Sequence, residues 1–314
     1  MDKIPAVAIV GPTASGKTGL AVELALKFGG EVISADSMQI YEGLDIASAK
    51  PTGEEMRGVR HHMMGVVPVD SDFSVADYCA AAAECISDVH SRGKLPIVAG
   101  GTGLYVDTLL DNIRLSEAPV SPELRRSLML RAETSGADEL LAEVAAADPE
   151  YAAKLHPNDV KRIVRALELM HTTGMTMTQQ YIASRASSPY NTLYIGLDAE
   201  DRGFLYQRIN SRVDVMLENG LEDEAREYLS YGYSGTSSQA IGYKELKPFI
   251  DGEMSRDEAV ERLKRSTRNY AKRQLTWFRR NRRINWRYID KYQRKEQLFE
   301  EAFALTEAFL SGNQ

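Results

Sequence analysis

The chain has 314 residues, 43% hydrophobic and 26% charged, enough for one large or two smaller domains around a sizeable core. Its formal net charge of −7 excludes wholesale coating of nucleic acid, so any RNA contact must come from a local basic surface. The only two cysteines, Cys79 and Cys85, supply neither a disulfide framework nor a zinc site, and no apolar run reaches membrane-helix length. With no signal-peptide pattern at the N-terminus, a cytoplasmic protein is expected.

In chain order, the first hundred residues alternate short apolar β-branched runs with longer amphipathic stretches. This predicts strands at Ile4 to Val10, Glu31 to Ala35 and Leu95 to Ala99 within βαβ units. Each strand runs into a polar, Gly-rich or acidic turn. In an open parallel sheet such turns converge on one crevice beyond the carboxyl ends of the strands. From about Pro119 to Pro189 helix punctuation replaces the strand signal. Ser121, Pro122 and Glu123 read as a helix start, and Asn158 opens a helix whose apolar face holds Val160, Ile163, Val164 and Leu167 before Gly174. This predicts a helical insertion at 119–189 between a first core part at 1–118 and its completion at 190–314. The completion opens with a strand at Leu193 to Leu197. Helical segments follow near Asp201 to Ser230 and Arg256 to Arg280, then a last amphipathic helix. Cys79 and Cys85 fall in one amphipathic helix and read as buried free thiols.

The sharpest chemical signal is Gly11-Pro12-Thr13-Ala14-Ser15-Gly16-Lys17-Thr18, a complete G-x-x-x-x-G-K-[ST] between a predicted strand and a helical pattern. Small residues let successive amides turn onto phosphate oxygens. The helix N-terminus adds partial positive charge, Lys17 a full one, and the Thr18 hydroxyl can ligate Mg²⁺. The expected fold is therefore α/β: a P-loop doubly wound parallel sheet with an all-helical insertion domain and a helical C-terminal region.

The second turn carries Asp36-Ser37-Met38-Gln39. A carboxylate across a crevice from a diphosphate can take a proton from an attacking hydroxyl or amine; it can also simply cap the next turn, and both roles are compatible. Ser37 and Gln39 can bond a base edge or the backbone. The third turn, Gly100-Gly101-Thr102-Gly103, permits close backbone approach and places the Thr102 hydroxyl at the mouth, or is only a tight turn. Arg202, Arg208 and Arg212 open a later helix; Arg208 and Arg212, four apart, can clamp a phosphate or form a solvated face with acids such as Asp214.

Between Arg256 and Lys295 basic residues far outnumber acids, with Lys272 and Arg273 near the centre and Tyr270, Trp277, Phe278 and Trp286 interleaved. The charges read as a polyanion footprint and most of the aromatics as core. His61-His62 lacks a carboxylate or cysteine at useful ligand spacing, so a metal site there is not expected. A small-molecule kinase with Asp36 as base also fits the P-loop but leaves the basic segment and the insertion unused.

Together G-P-T-A-S-G-K-T, I-S-A-D-S-M-Q-I-Y, S-A-K-P-T, the histidine pair, F-S-V-A-D-Y, G-G-T-G-L-Y, I-G-Y-K-E and Y-A-K-R-Q-x-T-W-F-R-R resemble the ordered motifs of tRNA dimethylallyltransferases, from about Val7 to Arg280. Met38 and Met63 depart from the usual pattern, and the zinc finger of eukaryotic relatives is absent. The resemblance implies an enzyme that uses Mg²⁺, and a monomer is expected. It would transfer a dimethylallyl group from dimethylallyl diphosphate to the exocyclic amine of the adenine 3′ of the anticodon, within the tRNA anticodon stem-loop. It further implies Asp36 as general base and Thr102 as a group that helps hold the amine. The P-loop, Arg202 and Arg208 would stabilise the leaving diphosphate. The implied tRNA contacts are Asp36, Ser37, Met38, Gln39, Thr102, Arg125, the run Val160, Lys161, Arg162, Ile163 and Val164, and the run Gln239, Ala240, Ile241, Gly242, Tyr243 and Lys244.

Overall fold

The computed structural model describes residues 3–113, 121–184, 187–233 and 235–312. The chain divides into two compact units, Met1–Leu110 with Ser188–Gln314, and Asp111–Ser187. The expected division near residue 118 falls among residues outside the description.

The larger unit is built on a sheet of six parallel strands, β1 (Ile4–Val10), β2 (Gly30–Ser34), β3 (His61–His62), β4 (Leu95–Gly100), β5 (Tyr190–Asp198) and β6 (Ile284–Tyr288), in the order β3-β2-β4-β1-β5-β6. β1 sits between β4 and β5, and its residues Ala6 to Val10 are fully buried because helices cover both faces of the sheet. One face packs Val7, Ile9, Ile97 and Ile195 against Leu20 and Leu24 of the Lys17–Phe28 helix and Phe309 of the Lys295–Leu310 helix. The other packs Ala8, Val10, Ile33 and Val98 against Tyr78 and Ile86 of the Val75–Ser91 helix and Val106 of the Gly103–Leu110 helix. The register aligns Val10 with Gly100 and Ser34 with Ala99, so the turns after β1, β2 and β4 leave the sheet side by side. That adjacency positions the site.

Two strands escaped the sequence pattern. β3 has two residues, and β6, Ile-Asn-Trp-Arg-Tyr, lies at a sheet edge inside the basic segment, where polar side chains mask alternation. The stretch expected as one long helix from Asp201 is two helices, Arg202–Glu218 and Leu221–Ser230. They are split at Gly220, whose φ of 97° lies in the left-handed region that ends a helix.

The smaller unit is all-helical among its described residues. Leu128, Leu140, Val144, Ile163 and Leu167 form its core, drawn from the helices Pro122–Thr134, Ala137–Ala147 and Val160–Thr173. Ser121 caps the first of these through Leu124 N–H at 3.2 Å, and Gly174 ends the third at φ 71°.

Candidate active site

The P-loop turns tightly between β1 and the Lys17–Phe28 helix. Ala14 and Gly16 take φ of 62° and 95°, and Ser15 N–H bonds back to Pro12 C=O at 3.4 Å. This places the first-turn amides of the helix, which have no intrahelical acceptor, at the wall of a cavity of about 1690 Å³ lined by Thr13 to Thr18. Lys17 Nζ donates to Pro12 C=O at 2.7 Å. Burial, then the nearby charge of Arg212, pushes the Lys17 ammonium down to about 7, with Asp36 opposing the shift. The Ser15 hydroxyl, on a residue 2% exposed, has no hydrogen-bond partner. First-turn amides without intrahelical acceptors, a buried hydroxyl and a lysine on one cavity wall are the groups that cradle a phosphate.

Asp36 lines the same cavity. Its Oδ1 accepts from Met38 N–H at 2.9 Å and Gln39 N–H at 3.4 Å, so the capping role expected for it is present. Ser37 N–H donates to Thr102 Oγ1 at 3.0 Å, and Thr102 N–H to Ala35 C=O at 3.1 Å, tying the second turn to the third. Gly100 is required at that junction, because a Cβ there would stand 2.1 Å from Ala35 O. Ser37, Met38 and Gln39 line the cavity, but the Gln39 amide is already engaged. It accepts from Ser34 Oγ at 2.8 Å and donates to Ser48 and Ala49 carbonyls at 3.3 and 3.2 Å, which leaves little of it for a base edge.

Arg208 and Arg212 both reach the cavity from the Arg202–Glu218 helix. Arg208 Nε donates to Ala14 C=O at 2.8 Å, and burial presses on the charge of both guanidiniums. Asp214, weighed as their surface partner, instead pairs with Lys264 at 2.7 Å. Arg202 is placed differently from Arg208. Its guanidinium grips buried Asp198 at 2.7 and 3.2 Å and lines a separate hollow with Tyr206, Lys272 and Arg279. The first turn of the helix thus points it away from the cavity that Arg208 lines.

Neighbours in sequence likewise part in space on the Arg256–Phe278 helix. Arg273 lines the large cavity and Lys272 the small hollow, since consecutive helical residues do not share a face. Part of the basic segment is neutralised within the fold. Arg256 pairs with Glu222 at 2.6 Å, Arg279 with Asp198 at 2.8 Å and Arg287 with Glu301 at 2.8 Å; Lys291 pairs with Glu200. Phe278 is core, Trp277 donates its indole N–H to Asp107 at 2.7 Å, and Tyr270 lines the cavity.

Several expected contact residues are supports. Of the 239–244 run, Gln239, Ile241 and Lys244 line the cavity, whereas Ala240, Gly242 and Tyr243 are buried; Tyr243 stacks on Tyr228 and donates to Glu224 at 2.8 Å. In the smaller unit Ile163 and Val164 are core, Val160 packs against that core, and Lys161 and Arg162 are exposed. Arg125 grips buried Glu168 through two bonds of 2.7 and 2.8 Å.

His62 Nε2 meets Glu31 at 2.7 Å, a carboxylate that comes from the neighbouring strand. Arg92 and Lys94 also bind Glu31 and hold it far below the usual carboxylate range. Among the described residues no group of three or more His, Cys, Asp or Glu side chains is gathered for a metal. The cysteines expected as buried are free but only half-buried, and partial burial pushes the Cys79 thiol up to about 12, as befits an inert side chain. No described helix is long and apolar enough to cross a membrane.

Three residues that sequence reasoning passed over hold this arrangement. Glu224 accepts from the successive amides of Asp45, Ile46 and Ala47 at 3.0, 2.7 and 2.8 Å and so folds the loop that receives Gln39. Gln274 bonds the P-loop to the third turn, and Glu31 anchors the β3 edge. Gln274 stands inside the Y-A-K-R-Q motif, but nothing local shows its role or that of the two glutamates, since each partner lies far away in the chain.

A parallel sheet whose strand β1 feeds a P-loop, with an aspartate and two arginines on the same cavity, defines a P-loop α/β protein. The family model described as IPP transferase matches residues 39–281, a span that begins at Gln39 and excludes the P-loop and Asp36. The tRNA dimethylallyltransferase of Caldanaerobacter subterraneus subsp. tengcongensis is 47% identical over 304 residues, 96% of each chain; that of Bacillus subtilis is 47% identical over 285 residues, 90% of each. A full-length tRNA isopentenylpyrophosphate transferase structure from Bacillus halodurans aligns with a TM-score of 0.73 at 41% identity, covering 99% of both chains. A eukaryotic dimethylallyltransferase solved while acting on tRNA aligns with a TM-score of 0.84 at 31% identity, covering 98% of this chain and 80% of its own. The chain belongs to the IPP transferase family.

Proposed function

We propose that this protein transfers the dimethylallyl group of dimethylallyl diphosphate to the exocyclic amine of the adenine immediately 3′ of the anticodon in tRNA. The observation that carries the reading is that the P-loop, Asp36, Arg208 and Arg212 line one cavity. The relatives named above, which carry prenyl-transfer names, support it.

In the reaction the carbon–oxygen bond of the diphosphate breaks, the amine nitrogen bonds the allylic carbon, and the displaced N–H proton passes to the Asp36 carboxylate. Charge accumulates on the departing diphosphate, so the P-loop amides, Lys17, Arg208 and Arg212, in place beforehand, lower the barrier. The target base is stacked in the anticodon loop and must be flipped into the cavity, where Ser37 and Met38 form part of the wall. Asp36 keeps its second oxygen, Oδ2, for the amine, because Oδ1 is the atom that caps the turn.

Thr18 lines the cavity beside the P-loop amides, which suits Mg²⁺, an ion that keeps most of its waters and takes one or two protein oxygens beside phosphate. Thr18 would hold it, and it would neutralise charge on the diphosphate oxygens. Thr18→Ala should raise the Mg²⁺ concentration needed for half-maximal turnover; an unchanged requirement would move the metal elsewhere.

Salt dependence of tRNA binding tests the split between Lys272 and Arg273. Each single neutralisation should reduce the slope of log affinity against log salt by about one at most. Arg273→Ala should in addition raise the KM for the diphosphate, an effect absent from Lys272→Ala. Equal kinetic effects would mean that both face one ligand.

The deciding experiment is mass analysis of nucleosides from unmodified tRNA incubated with the protein, Mg²⁺ and dimethylallyl diphosphate, beside an assay for transfer of the ATP γ-phosphate. Adenosine bearing one added dimethylallyl group is expected. Its absence together with phosphate transfer would replace the reading by a small-molecule kinase.

A further inference from the structure

We propose that Gln274 is a positioning residue that sets the distance between the P-loop and the turn carrying Asp36. Its side chain is buried, 5% exposed, on the Arg256–Phe278 helix. Oε1 accepts from Thr13 N–H of the P-loop at 2.8 Å, and Nε2 donates to Gly101 C=O of the third turn at 3.0 Å. The amide has one sensible orientation, because one partner can only donate and the other only accept. From Gly101 the connection continues through Thr102, which bonds Ala35 C=O and Ser37 N–H on either side of Asp36. One carboxamide, supplied from 261 residues beyond Thr13, therefore bridges the half of the site that holds phosphates and the half that holds the carboxylate. Gly101 belongs to the same device. A Cβ on it would stand 2.0 Å from Gln274 Nε2, so any larger residue there evicts the bridge.

The consequence is kinetic. Each half keeps its own groups without the bridge, but a displacement of about 1 Å between reacting groups costs on the order of 10²-fold in rate. Gln274 lies on the wall of the cavity, but in this role it acts through the backbone it holds.

The inference rests on the prenyl-transfer reading, so the unaltered protein is assayed first: if it forms no prenylated tRNA, that reading fails before any variant is compared. With turnover established, Gln274→Met keeps length and burial while removing the bonds to Thr13 and Gly101, together with the one to Tyr270. It should lower kcat by roughly 10- to 100-fold. KM for dimethylallyl diphosphate, affinity for inorganic pyrophosphate and affinity for tRNA should stay near their original values. Gly101→Ala, which leaves Gln274 intact but displaces its amide, should give the same pattern and serves alone if Gln274→Met does not fold. The double variant should be no slower than the slower single one, because both remove the same link. A kcat within about twofold of the original, a loss of pyrophosphate affinity equal to the loss of rate, or additive effects in the double variant would each overturn the proposal.

Discussion

Replacing Asp36 with asparagine should slow prenyl transfer by on the order of 10²-fold or more, the range for removing a general base, while tRNA affinity stays close to that of the unaltered protein. Asparagine is the informative change because Asp36 has two tasks in this structure. Its Oδ1 caps the turn through Met38 and Gln39 N–H groups, and an amide oxygen can still do that. An amide cannot take a proton from the amine. Asp36→Ala removes both functions and should add a stability loss of about 0.5–2 kcal/mol, as for other deleted caps. Single-turnover rates with saturating tRNA and diphosphate measure the chemistry; thermal unfolding measures the cap. If asparagine retains the full rate while alanine loses it, Asp36 only shapes the turn.

Removing the Lys17 charge should weaken inorganic pyrophosphate binding by about 10- to 100-fold, the equivalent of one charge-assisted hydrogen bond to a buried anion. Its pH dependence follows from the same burial. In the free protein the ammonium is pushed down to about 7, and an arriving diphosphate restores its charge and raises that value. A group whose pKa rises on binding strengthens the complex fully below its free value. That contribution is lost as pH rises from about 7 toward the bound value, by up to tenfold per pH unit. At mildly alkaline pH the unaltered protein should therefore take up close to one extra proton on binding, relative to Lys17→Met. Calorimetry in buffers of different ionisation heat reads this uptake. The ligand's own protonation is common to both proteins and drops out of the difference. Equal uptake by the two would mean that Lys17 stays charged in the free protein.

Contiguous chemistry was legible in the residues themselves. A phosphate cradle is built from neighbouring amides, so Gly11 to Thr18 announce it wherever the chain goes, and the strand before and helix after follow from apolar period alone. The order of turns at the carboxyl ends of parallel strands placed Asp36 and Thr102 near it, and the Ser121 and Gly174 punctuation marked the insertion's helices. What the tertiary structure alone decided is which side chains are spoken for. Gln39 is held by Ser34 and two backbone carbonyls, Arg202 and Arg279 share buried Asp198, and Ile163 and Val164 are core. Gln274, in a run dominated by positive charge, bridges two loops more than 170 residues before it. Hydrogen bonds and ion pairs between distant segments leave no periodicity in the chain. Whether a polar residue serves a ligand or the fold is therefore settled only when its partners arrive.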